Sequence, residues 1–282
     1  MGLGNMGTPM AERLVDWPGG LIVYDVRPEA MQPLVDAGAR GARDVAEVAA
    51  ACVISVTVLN DEQVREVVAE LAAHVQPGTA IAIHSTISDR TAAELAAQLA
   101  PKHIHVIDAP ISGGASAARK NDLAVMVGAT PEAFEVVREP FARWAGLVVY
   151  AGEPGAGTRM KLARNMLTFT SYAAACEAQR LAHECGLDVA ALGKVVRHTD
   201  AITGGPGAIL VRDSVGPLEP EDFFYQPFSH TRDLGEKDLQ LALDLGAERG
   251  VDLPLAEIAL QTLATGLGVA DPEPADKGAR RG

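Results

Sequence analysis

The sequence predicts an α/β domain with a parallel sheet, followed by an all-helical domain. Three observations predict this. From Leu21 to Tyr150, short β-branched runs alternate with Ala-rich amphipathic stretches, the pattern of βαβ units. Beyond Gly155 no strand pattern recurs, and Thr158–Cys185 runs without a proline or glycine. Hydrophobic residues make up 48% of the chain but aromatics only 4%. The core is therefore built from Ala, Val, Leu and Ile, which suits helices packed on parallel strands.

The elements follow in order. Strands are expected at Leu21–Tyr24, Cys52–Val58, Ala80–Ile83, Ile104–Ile107, Leu123–Val127 and Leu147–Tyr150. Helices are expected between them, at Asp61–His74, Ser88–Ala100 and Pro131–Ala145. The second half holds the long helix Thr158–Cys185, then Lys237–Arg249 and Pro254–Leu267. Thr203–Gly207 and Gly216–Pro227 carry helix breakers and read as loops. No internal repeat is present. The reading gives an α/β domain over 1–152, a helical domain over 153–270, and a polar tail over 271–282 that is expected to be disordered.

Composition excludes several classes. The formal net charge of −13 repels phosphate backbones and anionic lipid, so neither nucleic acid nor membrane is an expected partner. Cys52, Cys176 and Cys185 lack metal-ligand or disulfide spacing and are expected to be buried free thiols in a reducing compartment. The seven histidines show no ligand spacing, so no metal is expected. No apolar run is long enough to span a membrane, and no basic-then-apolar leader opens the chain. The expected address is the cytoplasm.

The first residues carry the first motif. Gly2, Gly4 and Gly7 fit G-x-G-x-x-G across Met1-Gly2-Leu3-Gly4-Asn5-Met6-Gly7. Glycines at these positions allow a tight turn, a close backbone approach to a pyrophosphate, and close helix packing. The segment Pro9–Leu14 is expected to form the helix that faces the phosphates. Asp25 ends the next strand, 18 residues beyond Gly7. That is the place of an acid that binds the adenosine ribose. A carboxylate there favours NAD over NADP, although Arg27 could meet a 2′-phosphate. Such a loop should follow an apolar strand, and only Met1 precedes it. The fold class is thus a Rossmann-type doubly wound sheet with its first strand apparently missing, and a start upstream of Met1 is expected.

Later motifs carry a family resemblance. Gly-Leu-Gly-Asn-Met-Gly at 2–7 resembles the opening fingerprint of the 3-hydroxyisobutyrate dehydrogenase family of β-hydroxy-acid dehydrogenases, which are related to 6-phosphogluconate dehydrogenase. Asp108-Ala109-Pro110-Ile111-Ser112-Gly113-Gly114 resembles its substrate-binding motif. The stretch Gly155 to Asn165 resembles its catalytic motif, with Gly-x-Gly-x-x-x-Lys-x-x-x-Asn spacing. Lys237-Asp238-Leu239 resembles its late Lys-Asp-Leu motif. The resemblance implies a Rossmann domain, a long connecting helix, an all-α domain and a homodimer or homotetramer. It also implies oxidation of a small 3-hydroxy acid to its semialdehyde, or the reverse, with NAD.

The resemblance also assigns roles. Lys161 is the proton-transfer residue. Asn165 lies four residues on, on the same helix face, and orients the substrate. Ser112, Gly113 and Gly114 offer a hydroxyl and unhindered N–H groups that can hold a carboxylate. Cofactor contacts fall on Gly2, Gly4, Asn5, Met6, Gly7, Asp25, Leu59, Asn60, Thr86 and Lys237. Leu59-Asn60 stands where the family often has a proline, and Arg197–Gly207 is assigned to none of these motifs. The alternatives are an NADPH-dependent semialdehyde or imine reductase, and a non-catalytic nucleotide-binding interaction protein. The substrate acid, the physiological direction and the oligomer size are not encoded in these motifs.

Overall fold

A computed structural model describes residues 1–270; the tail expected to be disordered lies outside them. The chain forms two compact units, Met1–Asn165 and the residues from Met166 onward.

The first unit runs α1 (Gly7–Glu12), β1 (Ile22–Val23), α2 (Pro28–Asp36), β2 (Arg40–Gly41), α3 (Val45–Val48), β3 (Val53–Val56), α4 (Asp61–Leu71), β4 (Ala80–Ile83), α5 (Asp89–Leu99) and β5 (His105–Asp108). It continues with β6 (Ile111–Ser112), α6 (Gly114–Lys120), β7 (Leu123–Gly128), α7 (Pro131–Ala142), β8 (Ala145–Gly152) and the start of α8 (Ala156–Glu184). Strand alternation sets two faces. Ile81 and Ile83 turn to one side, where α4 and α5 bring Val64, Val68, Leu71, Ala92 and Leu95. Ala80 and Ala82 turn to the other, where Val137, Phe141 and Trp144 pack.

β3, β4 and β5 are parallel in one six-stranded sheet ordered β3-β4-β5-β7-β6, with β8 beside β7. The sheet is not parallel throughout. β7 runs antiparallel to β5 and β6. Only residues 113–122 separate β6 from β7, too few for the crossover that a parallel neighbour needs. Pro110, which has no N–H to give the ladder, separates β5 from β6.

β1 and β2 form a separate two-stranded parallel sheet. The sheet is thus interrupted where the first strand of a doubly wound sheet stands. A cavity of about 500 Å³ lies there, lined by Leu3, Leu21, Val23, Val53, Ile54 and Trp144 among others. Two residues bridge the sheets. The Gly2 N–H donates to the Tyr24 carbonyl at 2.9 Å. The Met1 amine donates to the Ser55 carbonyl at 2.8 Å, and the Met1 carbonyl accepts from the Thr57 N–H at 3.0 Å.

The second unit holds the rest of α8, then α9 (Val189–Thr203), α10 (Tyr225–Arg249) and α11 (Pro254–Leu267). α10 begins twelve residues before the expected Lys237. The stretch read as a loop thus ends in its first turn, where Pro227 is tolerated because no intrahelical N–H is needed there. Phe228, Leu267 and Val269 form a small core with Phe224, Tyr225 and Leu263 around them. The buried Glu177 carboxylate accepts from the N–H groups of Leu255 (3.0 Å) and Ala256 (3.3 Å), which caps α11. The cysteines are free, as expected, but they are not buried. Cys52 and Cys176 are exposed and Cys185 is half-buried, because each stands at an element's rim or outer face.

Candidate active site

The glycine loop is held from behind and open in front. Gly2 has φ +82°, and a Cβ on it would meet the Thr57 carbonyl oxygen at 2.5 Å. A Cβ on Gly7 would overlap the Gly2 carbonyl, so α1 starts as close to the loop as backbone allows. α1 thus begins two residues before the expected Pro9 and ends at Glu12. Gly4 is exposed and has nothing within 4 Å of its would-be Cβ. Asn5 is exposed and Met6 half-buried. This division fits a loop whose middle meets a dinucleotide phosphate while its ends meet protein.

Asp25 is buried and ties the loop to the end of β1. Its carboxylate accepts from the Leu3 N–H at 2.6 Å, the Arg27 N–H at 2.9 Å and the Arg27 Nε at 3.2 Å. Burial works to raise its pKa, but these donors outweigh it and hold the carboxyl below its usual range. Arg27 is therefore already paired with Asp25, and its charge is compensated.

The other half of the site grows from β5, β6 and α8. Asp108 ends β5 and is almost fully buried, 1% exposed. Its two oxygens accept from the Gly155 and Thr158 N–H groups, each at 2.6 Å, so it satisfies free donors at the start of α8. A Cβ on Gly157 would overlap the Met126 carbonyl, and one on Gly128 would overlap the Asp108 carboxylate. Gly155, at φ +93°, would bring a Cβ within 3.0 Å of the Asp89 carbonyl oxygen, so both glycines of the Gly-x-Gly are required by backbone and packing. One turn into α8, Lys161 is buried and donates from Nζ to the Ile111 carbonyl at 2.6 Å. Burial lowers its pKa, and the Arg164 guanidinium adds to the effect. The Ser112 hydroxyl, one residue from Ile111, is buried with no hydrogen-bond partner. A buried polar atom of this kind calls for a partner. Gly113 and Gly114 follow at the start of α6.

The structure therefore brings Lys161, Ser112, Gly113 and Gly114 onto neighbouring segments. Asn165 is half-buried, one turn beyond Lys161, and its Oδ1 accepts from Arg164 Nη1 at 3.3 Å. Thr86 is exposed beyond the end of β4. Leu59 is exposed, and its N–H donates to Gln63 Oε1 at 2.8 Å. Asn60 caps α4 by accepting from the Gln63 N–H at 2.9 Å. Its Oδ1 is thus occupied, which leaves its Nδ2 amide and its backbone to meet a ligand. Lys237 belongs to the second unit, on α10, where it is exposed and pairs with Asp238 at 2.7 Å. Among the described residues no group of three or more His, Cys, Asp or Glu could hold a metal ion, and no described helix is long and apolar enough to cross a membrane.

Two groups at the site have no role in the sequence motifs, the Asp108 carboxylate and the Ile111 carbonyl. The first had a signal, since an acid closing an apolar strand needs buried partners. The second had none, because any residue carries a carbonyl.

Residues 1–152 match the family of the NAD binding domain of 6-phosphogluconate dehydrogenase. Residues 155–277 match the family described as NAD-binding of NADP-dependent 3-hydroxyisobutyrate dehydrogenase. An uncharacterised oxidoreductase of Mycobacterium tuberculosis is 62% identical over 276 residues, 97% of this chain and 94% of that protein. The crystal structure of an oxidoreductase of Mycobacterium avium 104 has 66% identity and a TM-score of 0.93, over 96% of this chain and 98% of that one. The Mycobacterium tuberculosis 3-hydroxyisobutyrate dehydrogenase, solved with L-serine, has 30% identity and a TM-score of 0.66, over 93% and 90% of the two chains.

Proposed function

Because the chain belongs to the 3-hydroxyisobutyrate dehydrogenase-like family of NAD(P)-binding oxidoreductases, we propose that it oxidises a small 3-hydroxy acid to its semialdehyde, or runs the reverse, with NAD. One observation carries this reading: a buried lysine of lowered pKa, bonded to Ile111, beside the unpartnered hydroxyl of Ser112.

The residues divide the work. Neutral Lys161 takes the substrate hydroxyl proton on Nζ and becomes an ammonium. A bound nicotinamide dinucleotide supplies the acceptor for the hydride that leaves the same carbon. The Ile111 carbonyl fixes the direction of Nζ and accepts one N–H of either charge state. In reduction the ammonium returns its proton to the carbonyl oxygen. Asn165 orients the substrate oxygen. The Ser112 hydroxyl and the Gly113 and Gly114 N–H groups hold the substrate carboxylate. L-serine, present with the 30% identical relative, has this pairing of a carboxylate with a hydroxyl on the third carbon.

Asp25 supports NAD over NADP. Its charge opposes a 2′-phosphate, and Arg27 already has its Nε on the Asp25 carboxylate. The test is a panel of small 3-hydroxy acids with each dinucleotide, followed by reduced-nicotinamide absorbance. Turnover of at least one acid, with higher kcat/KM for NAD than NADP, is expected. Binding of NAD with no turnover of any 3-hydroxy acid or semialdehyde would sink the reading. Preference for NADP would remove the assignment of Asp25.

A further inference from the structure

Asp108 and Ile111 stand three residues apart on one segment, and both are bonded to α8. The Asp108 carboxylate holds the Gly155 and Thr158 N–H groups. The Ile111 carbonyl holds Lys161 Nζ. The same segment continues directly into Ser112, Gly113 and Gly114. We propose that Asp108 is the positioning residue of this site: it clamps α8 to the segment that carries the carboxylate donors, so that Lys161 keeps one fixed distance from them. The role rests on the dehydrogenase reading above.

Three features support it. Burying a carboxylate is unfavourable unless it is well bonded, and both Asp108 oxygens are spent on α8 rather than on water. The clamp has no slack, because Gly128 and Gly157 pack against Asp108 where a Cβ would overlap its carboxylate or its carbonyl. The lever is short as well. Thr158 and Lys161 lie three residues apart on α8, about 4.5 Å of helix rise, so a shift at the cap passes to Nζ almost undiminished. Asp108 touches neither reactant in this account. It acts through the helix.

The experiment compares wild type with Asp108→Asn and Asp108→Ser. In Asp108→Asn one acceptor becomes an NH₂ group facing a backbone N–H. Asp108→Ser removes the buried charge and leaves one acceptor, and it serves if the first variant folds poorly. Three quantities are read: kcat and KM, amide hydrogen exchange at Gly155–Arg159, and the Lys161 titration followed by NMR of ¹³C-labelled lysine. A misplacement near 1 Å at a reacting group lowers kcat on the order of 100-fold. That loss is expected, with KM for the dinucleotide changed less than about twofold, since the glycine loop is untouched.

Exchange at the start of α8 should quicken, and Lys161 should titrate closer to an ordinary lysine as water reaches it. The last two readouts need no turnover. If wild type oxidises no hydroxy acid but Lys161 still shifts in the variants, the clamp stands and the dehydrogenase reading falls. A folded variant of lowered Tm with unchanged kcat and unchanged Lys161 titration would make Asp108 a plain helix cap and overturn the proposal.

Discussion

At the scale of single residues, the protein keeps ionisable groups out of water for different ends, as Lys161, Asp25 and His84 illustrate. Lys161 is desolvated, so its neutral form is reached at lower pH than in a free lysine. Asp25 is charged and well bonded. His84, just past the end of β4, is buried and neutral. It bonds the Ala109 carbonyl at 2.8 Å and Ser55 Oγ at 2.9 Å, and its ring lies 5.3 Å from both Phe141 and Trp144. Burial lowers its pKa from 6.5 to about 4. The unfolded chain therefore takes up a proton near pH 6.5 while the folded chain does not until about pH 4. Stability is full above that window and is lost as pH falls through it, by on the order of 3 kcal/mol. Thermal melts between pH 7 and 4 should show this loss in wild type and a flatter profile in His84→Gln. Equal pH slopes in the two proteins would remove the assignment.

At the scale of elements, caps explain both what could be read in advance and what could not. β4 and α11 match their expected bounds residue for residue. β4 is a short β-rich run between polar residues, and α11 opens with Pro254 and closes before Gly268. α9 went unread although its signals were present: Asp188 caps its start and Gly204, at φ +90°, its end. Its interior holds Gly193 and β-branched residues, which weaken the helical pattern. β2 and β6 have two residues each, too few for any periodicity to show.

The candidate site was legible in Lys161 and Ser112 because their motifs have fixed spacing. The Asp108 and Ile111 contacts were not, since they join residues about 50 apart in the chain. Glu177 caps α11 in the same long-range way. Glu177→Ala should destabilise the helical unit by about 1–2 kcal/mol, as a lower midpoint in urea. An unchanged midpoint would mean that the cap contributes nothing net.

At the scale of the whole molecule, the two units differ in how they treat apolar surface. The first buries its strands between two helical layers. The second leaves much uncovered: Met166, Phe169 and Tyr172 on α8, Val195 and Ile202 on α9, and Val215 and Phe223 between α9 and α10 are all exposed. α9 has no buried residue. A helix without a buried face draws little stability from packing within its own chain, and surface of this kind marks an association site. We expect a homo-oligomer, so light scattering should give a mass at least twice that of one chain. A monomer at micromolar concentration would contradict this.

Everything proposed for the site turns on Lys161 as the group that moves the substrate proton. The most direct measurement is kcat/KM for hydroxy-acid oxidation against pH, in wild type beside Lys161→Ala. Proton transfer by Lys161 predicts a wild-type rate that rises with pH through an apparent pKa below the 10.5 of an ordinary lysine. It predicts a variant roughly 10²–10⁴-fold slower that has lost this rise and still binds NAD. A variant that keeps the rate and the same pH dependence would contradict it.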